Sequence, residues 1–252
     1  MFSYPKLTVI TTVYNCEKFI KESLCSILDQ TYTNFQWIIL NDGSTDSTWK
    51  IVNDTVGKDD RVCLIDSKEN KNIPIRRNQV INLAKGEYIA IHDGDDISFP
   101  ERLRYQVGYL DSFKNVFCLG GHAICIDENG EQIDIMDYPP LSHDQIVLNF
   151  LKLKQNPMID PTTMFRKSDF KNLGGYSLNK NIYTVPDMDL WARAILSGKE
   201  MANMSEIFIK YRKNPNGMTL KHKDEMLDAN MQVWRKFQRK YNNNCSCQGI
   251  KL

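Results

Sequence analysis

Four short apolar runs open the chain: Lys6–Val13, Phe35–Leu40, Val62–Asp66 and Tyr88–Ile91. Each is rich enough in β-branched and aromatic residues to read as a strand. Between them the apolar residues follow helical spacing. Glu17–Asp29 carries Phe19, Ile20, Leu24, Ile27 and Leu28 as one stripe, and further helices are expected near Asp46–Val56 and over Pro74–Ala84. Strand and helix alternating at this interval constrain the fold more than any figure of composition. Parallel neighbours need a long crossover between them, and this alternation supplies it. The expected fold class is therefore α/β: a mostly parallel central sheet, flanked by helices and wound through right-handed crossovers.

A helix over Pro100–Phe113 and a strand over Val116–Ile126 follow, and then the rhythm changes. Asp127-Glu128-Asn129-Gly130 reads as a hairpin turn. Pro139 and Pro140 break the chain before a helix around His143–Leu153. Thr162–Phe165, Asp187–Leu196, Glu206–Tyr211 and Lys223–Tyr241 then read as strand, helix, strand and helix. No stretch is rich enough in Gly, Ser or Pro to mark a linker. The expectation is one domain over residues 1–252, with a parallel part to about 115, a mixed part from about 116 to 220, and a C-terminal helix and tail from about 221 to 252.

Composition matters mainly for what it excludes. A net charge of +1 gives no global electrostatic case for nucleic acid or membrane. No apolar run approaches the roughly 20 residues that cross a bilayer, so no transmembrane segment is expected. MFSYPKLTVITTVYN lacks a charged leader and a cleavage site and reads as the first strand. Seven dispersed cysteines point to reduced thiols and a cytoplasmic location. Cys245-Ser-Cys247 is the only close pair, and it has no second pair to complete a zinc site. The basic run RKFQRKY leaves peripheral contact with an anionic membrane open, although a solvated helix face is the commoner origin of such a run.

Three polar clusters fall at the ends of expected parallel strands: Thr12-Val13-Tyr14-Asn15, Asn41-Asp42-Gly43-Ser44 and Asp93-Gly94-Asp95-Asp96. A parallel sheet gathers such ends along one edge, where open α/β sheets bind ligands. Each cluster alone reads as an ordinary strand-exit turn. Together they suit a nucleotide: Tyr14 can stack on a base, Asp42 can accept an N–H from a uracil-like ring, and Asp93 can hold a ribose hydroxyl. The carboxylates of Asp93, Asp95 and Asp96 repel one another unless a cation sits among them. Asp95 is the natural ligand for a divalent metal that bridges phosphates. Gly-x-Gly-x-x-Gly and the P-loop pattern are both absent, which argues against a dinucleotide oxidoreductase or a P-loop NTPase.

From Lys6 to Thr219 the chain resembles the family 2 glycosyltransferases of the GT-A (Rossmann-like) fold. The resemblance rests on TVITTVYN, SILDQTYTNFQWIILNDGSTDST, RRNQVINLAKGEYIAIHDGDDISFPERL, FRKSDFKNLGGY, PDMDLW and YRKNPNGMT in that order. It implies a UDP-sugar donor, a divalent metal (Mn²⁺ or Mg²⁺), inversion at the anomeric carbon, and a glycan, lipid-linked or protein acceptor. Self-association is left open. The resemblance also implies a nucleotide-sugar-binding half followed by an acceptor-binding half. Thr12 and Tyr14 match donor-nucleotide contacts, Asp42 the uracil-reading carboxylate, and Arg77 an arginine of the donor site. Asp93 and Asp95 match the Asp-x-Asp pair, with Asp95 the metal ligand.

Asp187 in PDMDLW matches the catalytic base, with Asp189 the second choice. An acceptor hydroxyl needs a carboxylate to take its proton during attack. The chain also departs from the family pattern. Pro186 stands where an acidic residue usually precedes the base, Asn214 and Asp160 stand where His is usual, and Arg77 lacks a preceding Gly. A catalytically impaired sugar-nucleotide-binding module is therefore the competing expectation.

Overall fold

The computed structural model describes residues 5–215 and 217–247. Met1–Tyr4, Asn216, Gln248–Leu252 and the side chains of Asn244–Cys247 lie outside it, and with them the thiols of Cys245 and Cys247. The parallel part holds β1 (Leu7–Val13), α1 (Ile20–Leu28), β2 (Phe35–Asp42), α2 (Thr48–Val56), β3 (Val62–Ser67), α3 (Ile73–Leu83) and β4 (Tyr88–Ile91). These strands lie in the order β3-β2-β1-β4. The mixed part adds β5 (Ile97–Ser98), α4 (Arg102–Ser112), β6 (Val116–Ile126), β7 (Gln132–Met136), α5 (His143–Leu153), β8 (Met164–Arg166), α6 (Lys167–Asn172), α7 (Pro186–Leu196) and β9 (Glu200–Arg212). The short α8 (Met218–Lys221) and the long α9 (Lys223–Cys247) close the chain. Among the described residues one sheet runs β3-β2-β1-β4-β8-β6-β9-β5, with β7 beside β6.

β1, β2 and β4 are buried on both faces, their alternate side chains meeting the two layers, while β3 at the sheet edge is only part-buried. Val9, Trp37 and Ile39 join α1, α2 and α4 on one face. Ile10, Ile38 and Leu40 join α3, α5, α7 and α9 on the other. α1 and α2 have nine residues each, too few to persist alone in water. Packing holds them: Ile20, Leu24 and Val52 are fully buried, and each such side chain contributes roughly 1.5–3 kcal/mol.

The mixed part turns on β8, which is antiparallel to both β4 and β6. β9 then runs parallel to β6, from Val116↔Glu200 to Ile126↔Arg212, and antiparallel to β5. This brings the C-terminal end of β9 to the loop after β4. Several expectations need adjusting. β5 and α6 carry no periodic signal. β9 begins at Glu200 rather than Glu206, and its register shifts against Gly121 and His122. The helix expected from Pro100 begins at Arg102, and Pro100 instead offers its carbonyl to the Thr31 N–H (3.0 Å). Trp191 is fully buried against Phe117.

Candidate active site

The loop after β4 carries the acidic cluster, and its geometry is set from below. His92 is buried, with Nε2 2.8 Å from Ser23 Oγ. The Ser23 hydroxyl donates to the Asp93 carbonyl (3.0 Å), so His92 Nε2 holds the proton between them. Burial, reinforced by the nearby Arg102 cation, lowers the His92 pKa to about 3, which keeps the ring neutral. Gly94 lies against the start of the chain: a Cβ there would meet Val13 Cγ1 at 3.0 Å and Cys16 Sγ at 3.2 Å. A Cβ at this position would need these side chains to give by a few tenths of an ångström.

The carboxylates of this loop have few donors. Asp96 is buried; its Oδ1 accepts the Arg212 N–H (2.9 Å), while Oδ2 has no partner among the described residues. Burial, then Asp95 and Asp93, push the Asp96 pKa well above the usual carboxylate range. Asp95 Oδ2 accepts from Asn214 Nδ2 (3.1 Å). Burial, then the charge of Asp93, raise the Asp95 pKa to about 6. Arg212 steadies the backbone of this loop: its Nε donates to the Asp95 carbonyl (3.0 Å) and its Nη2 to Glu22 (2.8 Å).

Two adjacent arginines of α3 reach two different strand ends. Arg76 Nε donates to Asp42 Oδ1 (2.5 Å), at the end of β2, and its Nη2 donates to Ser67 Oγ and the Glu69 carbonyl. The Lys71 N–H also donates to Asp42 Oδ1 (2.9 Å). Gly43 makes this turn with φ +78°, and its Cα lies so close to the Glu69–Asn70 backbone that a Cβ would meet it at 3.0 Å. Arg77 Nη2 donates to Asp93 Oδ1 (2.7 Å) and its Nη1 to Asp160. Arg77 is 3 % exposed. Burial works against its charge, yet the Asp160 and Asp93 carboxylates outweigh it and hold the guanidinium pKa well above its ordinary value. Neither arginine is the solvated helix residue that a basic pair on a surface helix suggests.

At the end of β1, Thr12 is half-buried and Tyr14 is 50 % exposed. Asn15 follows with φ 46°, its Oδ1 accepting the Thr45 N–H (2.8 Å), which ties this turn to the one after β2. The three strand-exit clusters therefore do share one edge.

Asp187 is the second residue of α7, behind Pro186; Val185 occupies the cap position, without a side-chain hydrogen bond. Asn156 Nδ2 donates to Asp187 Oδ2. Burial raises the Asp187 pKa against the opposing pull of the Met188 N–H, Asn156 and Arg77. Asp160 is raised to about 7, by burial first, with Arg77 opposing and Asp187 and Asp93 adding to the rise. Asp187, Asp160, Arg77 and Asp93 thus form one electrostatic cluster. Asp189 is buried and paired with Arg193 (2.7 Å), so it stands outside that cluster.

Asn156 and the role of Asp160 were not readable from sequence. Their partners lie 31 and 83 positions away, and neither residue sits in a periodic pattern. Among the described residues no group of three His, Cys, Asp or Glu side chains converges as a metal cage.

Comparison with known proteins adds an independent line. The family model described as glycosyl transferase family 2 matches residues 8–174. EpsE of Bacillus subtilis (strain 168), assigned as a glycosyltransferase, is 35% identical over 215 residues, 85% of this chain and 75% of its own. The UDP-Glc:alpha-D-GlcNAc-diphosphoundecaprenol beta-1,3-glucosyltransferase WfaP of Escherichia coli is 27% identical over 206 residues, 82% of this chain and 76% of its own. S. aureus TarS 1–349, solved in complex with UDP-GlcNAc, superposes with a TM-score of 0.71 at 19% identity, over 98% of this chain and 76% of that one.

Proposed function

The chain belongs to glycosyl transferase family 2, and from that membership we propose that it moves a sugar from a UDP-sugar to an acceptor hydroxyl with inversion, using Asp187 as general base. The observation that carries this reading is the single cluster joining Asp187, Asp160, Arg77 and Asp93. The link from Asp187 through Asp160 and Arg77 to Asp93 of the β4 loop supports this reading. Asn156 orients the Asp187 carboxylate, and burial keeps it proton-hungry. As the acceptor oxygen bonds to the anomeric carbon, Asp187 takes its proton and the bond to the diphosphate oxygen breaks. Attack from the face opposite the leaving group inverts the carbon. UDP-GlcNAc bound to TarS and the UDP-Glc in the name of WfaP favour uracil as the donor base.

In this reading Thr12, Tyr14 and Asp42 line the nucleoside end, and Arg77 holds Asp93 for the ribose. The donor half ends near residue 115 and the acceptor half continues from there. The oxygen donors at the β4 loop suit a hard cation such as Mn²⁺ or Mg²⁺: Asp95 is short of hydrogen-bond donors, and Asp96 Oδ2 is buried with no partner among the described residues. Asp95 would hold the ion, with Asp96 supporting the loop. When bound, it would neutralise charge on the departing diphosphate.

One observation favours a binding module without turnover. Both carboxylates against Arg77 already neutralise it, so it offers a diphosphate no free positive charge. Calorimetric titration of UDP, with and without Mn²⁺, on the wild type and Asp95→Ala separates the cases. Metal-dependent binding lost in the variant, with sugar transfer that requires Asp187, is the expected result. Binding with no turnover from any UDP-sugar leaves the module. Absence of UDP binding, with GDP binding in its place, overturns the uridine assignment.

A further inference from the structure

The second half of α9 carries charge that no acidic side chain among the described residues answers. From Ala229 to Cys247 the helix has no acidic residue; its acids, Asp224, Glu225 and Asp228, all lie in its first turns. Ala229, Val233, Trp234 and Phe237 are buried and fix which side faces the body. Arg235, Lys236, Arg239 and Lys240 are exposed. Their spacing of one and four residues sets them along one side of the helix. None of the four makes an ion pair with another described residue, although the chain is nearly neutral overall.

The end of α5 extends this face. Trp234 Nε1 donates to the Phe150 carbonyl (3.0 Å), and Lys154 lies over the Trp234 ring at 4.3 Å. Lys152 and Lys154 are exposed and flank Leu153, which is 54 % exposed. A bare leucine between lysines, next to a basic helix face, is the pattern of a surface that meets lipid headgroups and dips one apolar side chain between them. Two residues beyond Lys154, Asn156 donates to Asp187. The basic face therefore borders the proposed base.

We propose that α9 and the end of α5 form a docking surface for an anionic lipid bilayer, which presents the acceptor to the Asp187 end of the site. The docking stands on charge and exposure alone. Only its orientation toward the acceptor rests on the reading of Asp187 as base.

The test is co-sedimentation with vesicles of pure phosphatidylcholine and of phosphatidylcholine carrying about one third phosphatidylglycerol. The wild type should partition onto the anionic vesicles at least roughly tenfold more strongly, and lose most of this above ~0.5 M salt. The variant Arg235→Gln/Lys236→Gln/Arg239→Gln/Lys240→Gln should bind both vesicles equally weakly while retaining its circular dichroism and its UDP affinity. A charge-matched control, Lys21→Gln/Lys50→Gln/Lys58→Gln/Lys85→Gln, should bind like the wild type. Equal partition of the wild type onto both vesicles overturns the proposal. So does undiminished binding by the α9 variant, or a loss as large in the control. Binding to duplex DNA as tight as to the anionic vesicles would also overturn it, because it would mark the face as a general polyanion surface. Vesicle binding without any activity would count against Asp187 and leave the docking surface standing.

Discussion

The ends of β2 and β4 carry the same residue type and are treated in opposite ways. Asp42, at the end of β2, is buried and matched: Arg76 Nε and the Lys71 N–H both donate to it. Beyond β4, Asp93, Asp95 and Asp96 crowd one loop, and Arg77 reaches only Asp93. Asp95 receives one amide N–H and Asp96 one backbone N–H. At the first end the charge of Asp42 is met by the protein before any nucleotide binds. The second holds negative charge that the chain leaves unanswered. Complete ends give shape and incomplete ends give chemistry, because a carboxylate short of donors keeps capacity for a cation or a proton.

That contrast can be broken most directly at Asp187, which lies on the incomplete side. Asp187→Asn should reduce kcat for sugar transfer by about 10²–10⁴-fold, with UDP affinity and Tm unchanged. A large fall in Tm would mean the carboxylate is structural. The complete end should behave in reverse. Asp42→Ala strands Arg76 in the interior and should cost roughly 3–5 kcal/mol of stability, read from urea midpoints. A cost below about 1 kcal/mol would erase the distinction between the two ends.

Asp95→Asn removes one of three crowded charges. It should stabilise the metal-free protein by about 1–2 kcal/mol near neutral pH while abolishing Mn²⁺-dependent UDP binding. Destabilisation there would show that Asn214 and the loop already satisfy the charge.

A finer test uses pH. The Asp160 carboxyl titrates at about 7 in the folded chain, against roughly 3.9 when unfolded. The folded state holds this proton more tightly. Its contribution to stability is full below about pH 4 and is lost as pH rises toward 7. Asp160→Asn should therefore show a shallower fall in stability than the wild type across that window, in urea titrations at a series of pH values. Parallel profiles would place the Asp160 carboxyl in the ordinary carboxylate range.

Most of the parallel part was legible because β1, β2 and β4 are buried on both faces and α1 carries an apolar stripe. Hydrophobic burial writes that pattern locally, and Leu7–Val13 or Phe35–Asp42 can be read from it without knowing their partners. β5 has two residues, too few for any period. The first half of β9 is shaped by its bulged pairing with β6, which is a property of the pair. The site divides in the same way. Strand-exit turns announce Tyr14, Asp42 and Asp93 in polar clusters, the last two bearing Gly43 and Gly94. The burial of Arg76 and Arg77 left no mark on the sequence, since two adjacent arginines on a helix most often face water. The distant partners Asn156 and Asp160 left none either.

Arg212 gives the site a place in time. It belongs to the last strand, yet it ties down the loop after β4, and its N–H reaches Asp96 across 116 positions of sequence. A ribosome delivers the parallel strands first, and their neighbours pair through short crossovers while the rest is still being made. Until β9 emerges, the acidic loop lacks both the backbone donor and the guanidinium of Arg212. A nascent chain can thus hold its first four strands in place with its carboxylates still unset, and the site is finished only once β9 has been made.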